Sequence, residues 1–191
     1  MKQALLDEML EICTTIPHDQ LAIQWDCCQE ILLLEGYFPD DWVYDAALMA
    51  PTVAALGDAV PEAVELGYHF CYGSPVDAPL VQQTSMGVVV NFCNEVAARL
   101  SHSLDFVHLP VSVPEADAAF FEPLRALNVP KETEIYLGLL HPKVSGQDRA
   151  RIKLAQQFLP TFGVATECGW GRNSTQPATE LLQVHLDAVT E

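Results

Sequence analysis

Five short apolar runs, each separated from the next by a stretch of helical periodicity, constrain this chain more than any other feature. They span residues 21–26, 67–72, 105–111, 134–141 and 162–168 and read as strands. Between them apolar residues recur every three or four positions, which predicts helices over about 27–36, 46–66, 87–100, 146–158 and 177–189. A short helix is expected around 120–124, and another at 2–15, closed by Pro17. The 46–66 segment is interrupted by Pro51 and Pro61, while 37–45 and 73–79 read as loops. Strands alternating with helices predict a parallel α/β architecture. Strands this apolar are expected to be covered on both faces.

Every one of the five runs gains a polar or metal-competent group near its C-terminal end. These are Gln24 and Asp26, His69 and Cys71, His108, His141, and Glu167 with Cys168. In barrels and doubly wound sheets that edge is where active sites are built. Side chains alternate across a strand, so His69 and Cys71 point the same way, a nitrogen beside a sulfur. Such a pair suits a borderline-soft cation such as zinc. Cys168 offers a second thiolate ninety-seven residues later, followed by Gly169 and Gly171, which permit a tight turn. The plainer reading of the same residues is a buried cysteine beside a hydrogen-bonded histidine, with Asp26 capping the helix at 27–36. Cys27 and Cys28 adjoin on that predicted helix, where neighbours point apart, so they do not chelate. Cys13, Cys93 and one of the adjacent pair read as small buried apolar residues.

Composition decides among partners. The chain carries 26 acidic against 9 basic side chains, a formal net charge of −17. Nucleic acid and anionic membrane surfaces would be repelled. No apolar run reaches the roughly 18–20 residues that span a bilayer. Acidic residues interrupt the N-terminal segment, which is unlike a signal peptide. Six cysteines without such a signal predict reduced thiols in the cytoplasm. At 191 residues, half of them apolar, the chain is expected to form a single domain over 1–191.

Four blocks together resemble the zinc-dependent C-terminal barrel of cobalamin-independent methionine synthase, in the superfamily that includes uroporphyrinogen decarboxylase. They are Ile23-Gln24-Trp25-Asp26, His69-Phe70-Cys71-Tyr72, Asp105 through Pro110, and Glu167-Cys168-Gly169-Trp170-Gly171-Arg172. The resemblance implies a partial TIM barrel, about the last five βα units of an eight-stranded barrel, lacking the N-terminal three. It implies zinc held by His69, Cys71 and Cys168, activating a substrate thiol for methyl transfer on a small molecule. Asp26, His108 and His141 are the expected catalytic residues, and Gln24, Glu167 and Arg172 the expected substrate contacts. The sequence departs from the family at Pro110, which stands where the family carries a glutamate ligand; His108, on the same strand face, could substitute. The open edge of strand 21–26 predicts a homo-oligomer that completes the sheet. Two alternatives stand beside this reading. One is a metal-free, decarboxylase-like enzyme on the same barrel with histidines as proton donors. The other is a non-catalytic remnant acting as an interaction module.

Overall fold

A computed structural model of the chain describes residues 2–39, 43–73, 75, 78–112, 116–169 and 178–190. Helix α1 (Lys2–Thr15) stops ahead of Pro17, because the residue before a proline is driven out of the helical region. Strand β1 (Ala22–Cys27) runs directly into α2 (Cys28–Leu34). Helix α3 (Ala46–Gly57) is capped by Asp45, whose carboxylate accepts the Ala47 N–H at 2.7 Å. Strand β2 (Glu65–Phe70) and α4 (Gly87–Ala97) follow, then β3 (Phe106–Pro110), the short α5 (Ala118–Phe121), β4 (Glu134–Leu140), α6 (Asp148–Ala155), β5 (Gly163–Thr166) and α7 (Ala178–Val189).

The five strands form one sheet in the order β1-β2-β3-β4-β5, each parallel to its neighbour. Strand order equals chain order, so every connection steps the same way along the sheet. The register sets Asp26 opposite His69, His69 opposite His108 and Pro110 opposite Gly138. No helix among the described residues is long and apolar enough to cross a membrane.

Alternation decides what each face does. Leu66, Tyr68 and Phe70 of β2, Val107 and Leu109 of β3, and Leu137 and Leu139 of β4 enter the hydrophobic core beneath the helices. Helix α4 contributes Val89, Phe92, Cys93 and Val96 at helical spacing to the same core. Full burial of each large side chain stabilises by roughly 1.5–3 kcal/mol. The Tyr68 hydroxyl donates to the Val53 carbonyl at 3.2 Å, which ties β2 to α3. The opposite face carries Gln24, Asp26, Gly67, His69, Phe106, His108 and Tyr136, and among the described residues its lower part is open to water.

This corrects the expectation of a sheet covered on both faces. Polar side chains at every second position of β1, namely Gln24 and Asp26, with Glu65 and Glu134 on β2 and β4, are exposed and mark the lower part of this face as solvated, while His185 of α7 reaches its upper part. Several boundaries also differ, those of β2 and α3 among them. Strand β2 begins at Glu65 rather than 67, with Val64 and Leu66 already buried. Helix α3 runs through Pro51 and stops at Gly57 rather than reaching 66. Pro51 deprives only the Ala47 carbonyl of its partner, and both residues are exposed to water, so packing of Ala50, Val53 and Ala54 outweighs the lost bond.

Candidate metal centre

The open face is concave. Its lower part is a cavity of about 530 Å³ lined by Gln24, Glu65, Phe106, His108, Glu134 and Tyr136 among others. Its upper part, about 480 Å³, reaches His69, Cys168 and His185 and shares Gln24, His108 and Ala165 with the lower one. Two glycines shape this face. A Cβ on Gly67 would run into the ring of Phe106, its neighbour across the β2–β3 ladder, and one on Gly163 into the ring of Tyr136 across the β4–β5 ladder. Each aromatic ring therefore lies flat over a glycine and covers backbone that would otherwise face solvent.

Strand alternation puts Gly67, His69 and Cys71 on that face, with Cys71 one residue beyond the strand end. Gly73 then turns the chain with φ of +67°, a conformation that costs glycine nothing, and its N–H donates to the Cys71 sulfur at 3.3 Å. At the far side of the sheet β5 ends at Thr166, whose hydroxyl donates to the Cys168 carbonyl at 2.8 Å and folds the chain back over the edge. The sulfurs of Cys71 and Cys168 meet at 3.5 Å. With His69 they form a group whose ligand atoms all lie within 4.8 Å of one another, and this group could hold a metal ion.

The residues fit a metal on three counts. His69 is only 5% exposed, and its ring nitrogens find no hydrogen-bond partner of good geometry, the Cys168 sulfur being the group beside them. A buried polar atom without a partner costs roughly 1–3 kcal/mol, which a ligand would offset. Two sulfurs and an imidazole nitrogen are a donor set that favours zinc. The sulfur separation is close to the ~3.8 Å that two zinc-bound sulfurs keep in a tetrahedron.

The electrostatics divide the two thiols. Cys168 is pulled below the ordinary thiol value, first by the hydrogen bond from Cys71 and then by His69 beside it. Cys71 is pushed up, by that same hydrogen bond and by burial. The pair thus shares one proton, with Cys168 as the thiolate. The His108 ring stacks on that of His69, with centroids 4.6 Å apart and planes 21° from parallel. Burial first, and the His69 ring second, hold His108 down at about 3, so it is neutral at pH 7. Its ring also bonds the Thr166 backbone, which links β3 to β5 at the site.

The site residues anticipated from sequence separate into groups. His69, Cys71 and Cys168 are brought together; His108 and Gln24 line the same cavity. Asp26 lies at the exposed rim, close enough to Cys28 and Cys71 to oppose their ionisation. Glu167 is half-buried at the end of β5. His141 is not among the residues lining the cavity; its ring bonds the Val111 backbone, and burial and then Arg151 hold it down at about 4. Arg172 lies outside the described residues. Pro110, as expected, offers no donor.

Two residues at the site were not anticipated. His185 reaches the upper cavity from α7, and no local pattern marks it. Cys28 stands beside the other thiols although adjacency to Cys27 argued for a helix position of no account. Cys27 is in fact the last residue of β1 and buried in the core, whereas Cys28 opens α2. The change of period at that junction sends the two sulfurs opposite ways, and a cysteine pair at the end of a strand is the signal that could have found it. Comparison of the chain with family models, with curated proteins and with solved structures yields no significant match.

Proposed function

We propose that the chain is a zinc-dependent, thiol-directed methyltransferase-like domain acting on a small molecule, built on part of a TIM barrel of the cobalamin-independent methionine synthase type. One observation carries this reading: His69, Cys71 and Cys168 converge within 4.8 Å at the C-terminal edge of a parallel sheet, beside an open cavity. Strand order that follows chain order suits a barrel segment, whose interior would be the concave face. Bound zinc would supply a Lewis-acidic position at which a substrate thiol is held as the nucleophilic thiolate. His69, Cys71 and Cys168 would hold it. Asp26 at the rim would orient a substrate ammonium, and Gln24 would meet the substrate across the cavity. Reduced thiols of this kind suit the cytoplasm.

The metal-free, decarboxylase-like reading fits less well. It needs histidines that carry a proton at neutral pH, yet burial holds His108 at about 3 and His141 at about 4. Among the described residues β1 and β5 pair with no further strand, which favours a second copy that completes the sheet, and light scattering tests that directly.

The deciding experiment is metal analysis of protein purified without chelator or histidine tag. About one zinc per chain, with Cys71 and Cys168 gaining reactivity toward a thiol reagent when it is removed, is the expected outcome. Absence of metal, and no shielding of those thiols by added zinc, would overturn the reading.

A further inference from the structure

Cys28 is the chemically competent group that three donors leave over. It opens α2 at the end of β1, half-buried, with its thiol within hydrogen-bonding reach of Cys71. A Cβ on Gly73 would lie 3.5 Å from its sulfur, and Gly73 is the residue whose N–H meets the Cys71 sulfur. Thiols from the ends of β1, β2 and β5 therefore approach one turn, with Cys28 beside Cys71 but outside the 4.8 Å group that Cys71 and Cys168 form with His69. To the same place His69, more than nine-tenths buried, brings one ring nitrogen as a ligand atom.

We propose that Cys28 is a fourth protein donor of this centre, completing a set of three sulfurs and one nitrogen. The inference rests on the metal-centre reading above. Its chemistry follows from what else is at hand. A tetrahedral ion with three protein ligands keeps one position open; on β3 Pro110 offers no donor, and His108 is the rival to Cys28, but its ring lies stacked on that of His69 and is held by the Thr166 backbone. The nearest carboxylate, Asp26, is exposed to water, whereas a half-buried soft sulfur is the better partner for zinc in a set already rich in sulfur. The Cys28 sulfur swings on a single side-chain torsion, so it closes on the ion by a rotamer change. Being more accessible than Cys71 or His69, it is the donor that an entering substrate thiol would displace from the ion.

The test uses the full chain, freed of metal, with zinc and cobalt(II) as probes. In the wild type, zinc should shield three thiols, Cys28, Cys71 and Cys168, from an aromatic disulfide reagent. In Cys28→Ala and Cys28→Ser it should shield two. The sulfur-to-cobalt charge-transfer band should fall by about a third in both variants while the tetrahedral cobalt bands persist. Zinc affinity should drop roughly 10–100-fold. Two shielded thiols in the wild type, a count that needs no variant, would overturn the inference and leave the three-donor site standing. So would an unchanged band in both variants, or a loss of affinity in Asp26→Asn instead. Failure of the wild type to bind either probe would overturn the metal reading and this inference with it.

Discussion

Gly138 lets the two sides of the candidate centre meet, and replacing it with alanine tests that claim. It sits in β4 where the pairing with β5 slips: Leu137 is opposite Val164, but the next pair is Leu140 with Thr166, so β4 spends three residues where β5 spends two. This irregularity brings the β5 backbone over Gly138. A Cβ there would lie 2.7 Å from Glu167 Cα and 3.0 Å from the Thr166 carbonyl oxygen. Ordinary contact begins at 3.4 Å, so β5 must retreat by about 0.7 Å, and backbone cannot swing aside as a side-chain tip can. Overpacking of this kind costs about 1–3 kcal/mol, which urea unfolding of the metal-free protein will read. Cys168 follows Glu167, so the retreat also widens its 3.5 Å separation from Cys71. Zinc affinity, measured by competition with a chromophoric chelator, should fall by about 10–100-fold. Gly146→Ala is the control, because a Cβ there meets nothing within 4 Å. A Gly138→Ala protein as stable as the Gly146→Ala protein, with undiminished zinc affinity, would refute the reasoning.

Three further outcomes follow from particular residues. Zinc at a hundred times its dissociation constant should stabilise the wild type by about 2.7 kcal/mol, while His69→Ala should show no zinc-dependent rise in melting temperature. His141 is held at about 4 against an ordinary 6.5, so between those values the unfolded chain binds a proton that the folded chain refuses. Stability is then complete above pH 6.5 and falls as pH drops, by about 2 kcal/mol at pH 5. His141→Gln should remove that share of the fall in urea unfolding and leave a similar share from His108, held at about 3; Arg151, beside the ring, and Asp148, which accepts from the His141 backbone N–H, stay in place. Asp148 and Arg151 form an ion pair with 4% and 3% exposure, and Arg151 also donates to the Leu139 carbonyl at 3.0 Å. Asp148→Asn should cost about 3–5 kcal/mol, because it leaves a buried guanidinium uncompensated. Glu122→Gln, at the exposed pair with Arg125, should cost at most about 1 kcal/mol.

The strands were legible because burial demands short apolar runs, and these stand apart from the helical spacing on either side of them. Tyr68, Phe70, Val107, Leu109, Leu137 and Leu139 carry the runs, and the polar groups at the strand ends stand out against them. The open face was legible in principle from Gln24 and Asp26 between Ile23 and Trp25, but the strong apolar runs of β2–β4 conceal it. Glycine is ambiguous in such a run. Gly67 and Gly163 belong to the open face yet break no apolar pattern, because the Phe106 and Tyr136 rings that cover them come from other strands. His69, Cys71 and Cys168 could be named from residue chemistry alone. Cys28 could not, since its position depends on the point at which β1 gives way to α2, and strand boundaries are the weakest part of any sequence reading.

The meeting of Cys71 with Cys168 sets a demand on the whole sheet. Their strands, β2 and β5, are three ladder steps apart, about 14 Å in a flat sheet at the usual strand spacing. Two side chains and the two-residue extension beyond β5 shorten that distance only in part, so the C-terminal edge must curl toward the open face for the sulfurs to stand 3.5 Å apart. Oxidation of the metal-free protein reads this curl in solution. A small disulfide such as oxidised glutathione is attacked by the Cys168 thiolate, releasing one glutathione thiolate; Cys71 then gives up its proton and displaces the second. The product, a Cys71–Cys168 disulfide, closes a loop near a hundred residues and should stabilise the chain by about 4–5 kcal/mol, less any strain. It should also abolish zinc binding, and peptide mapping should recover the linked pair. A sheet flat in solution would leave both residues joined singly to glutathione, with no stabilisation, and the argument from curvature would fail.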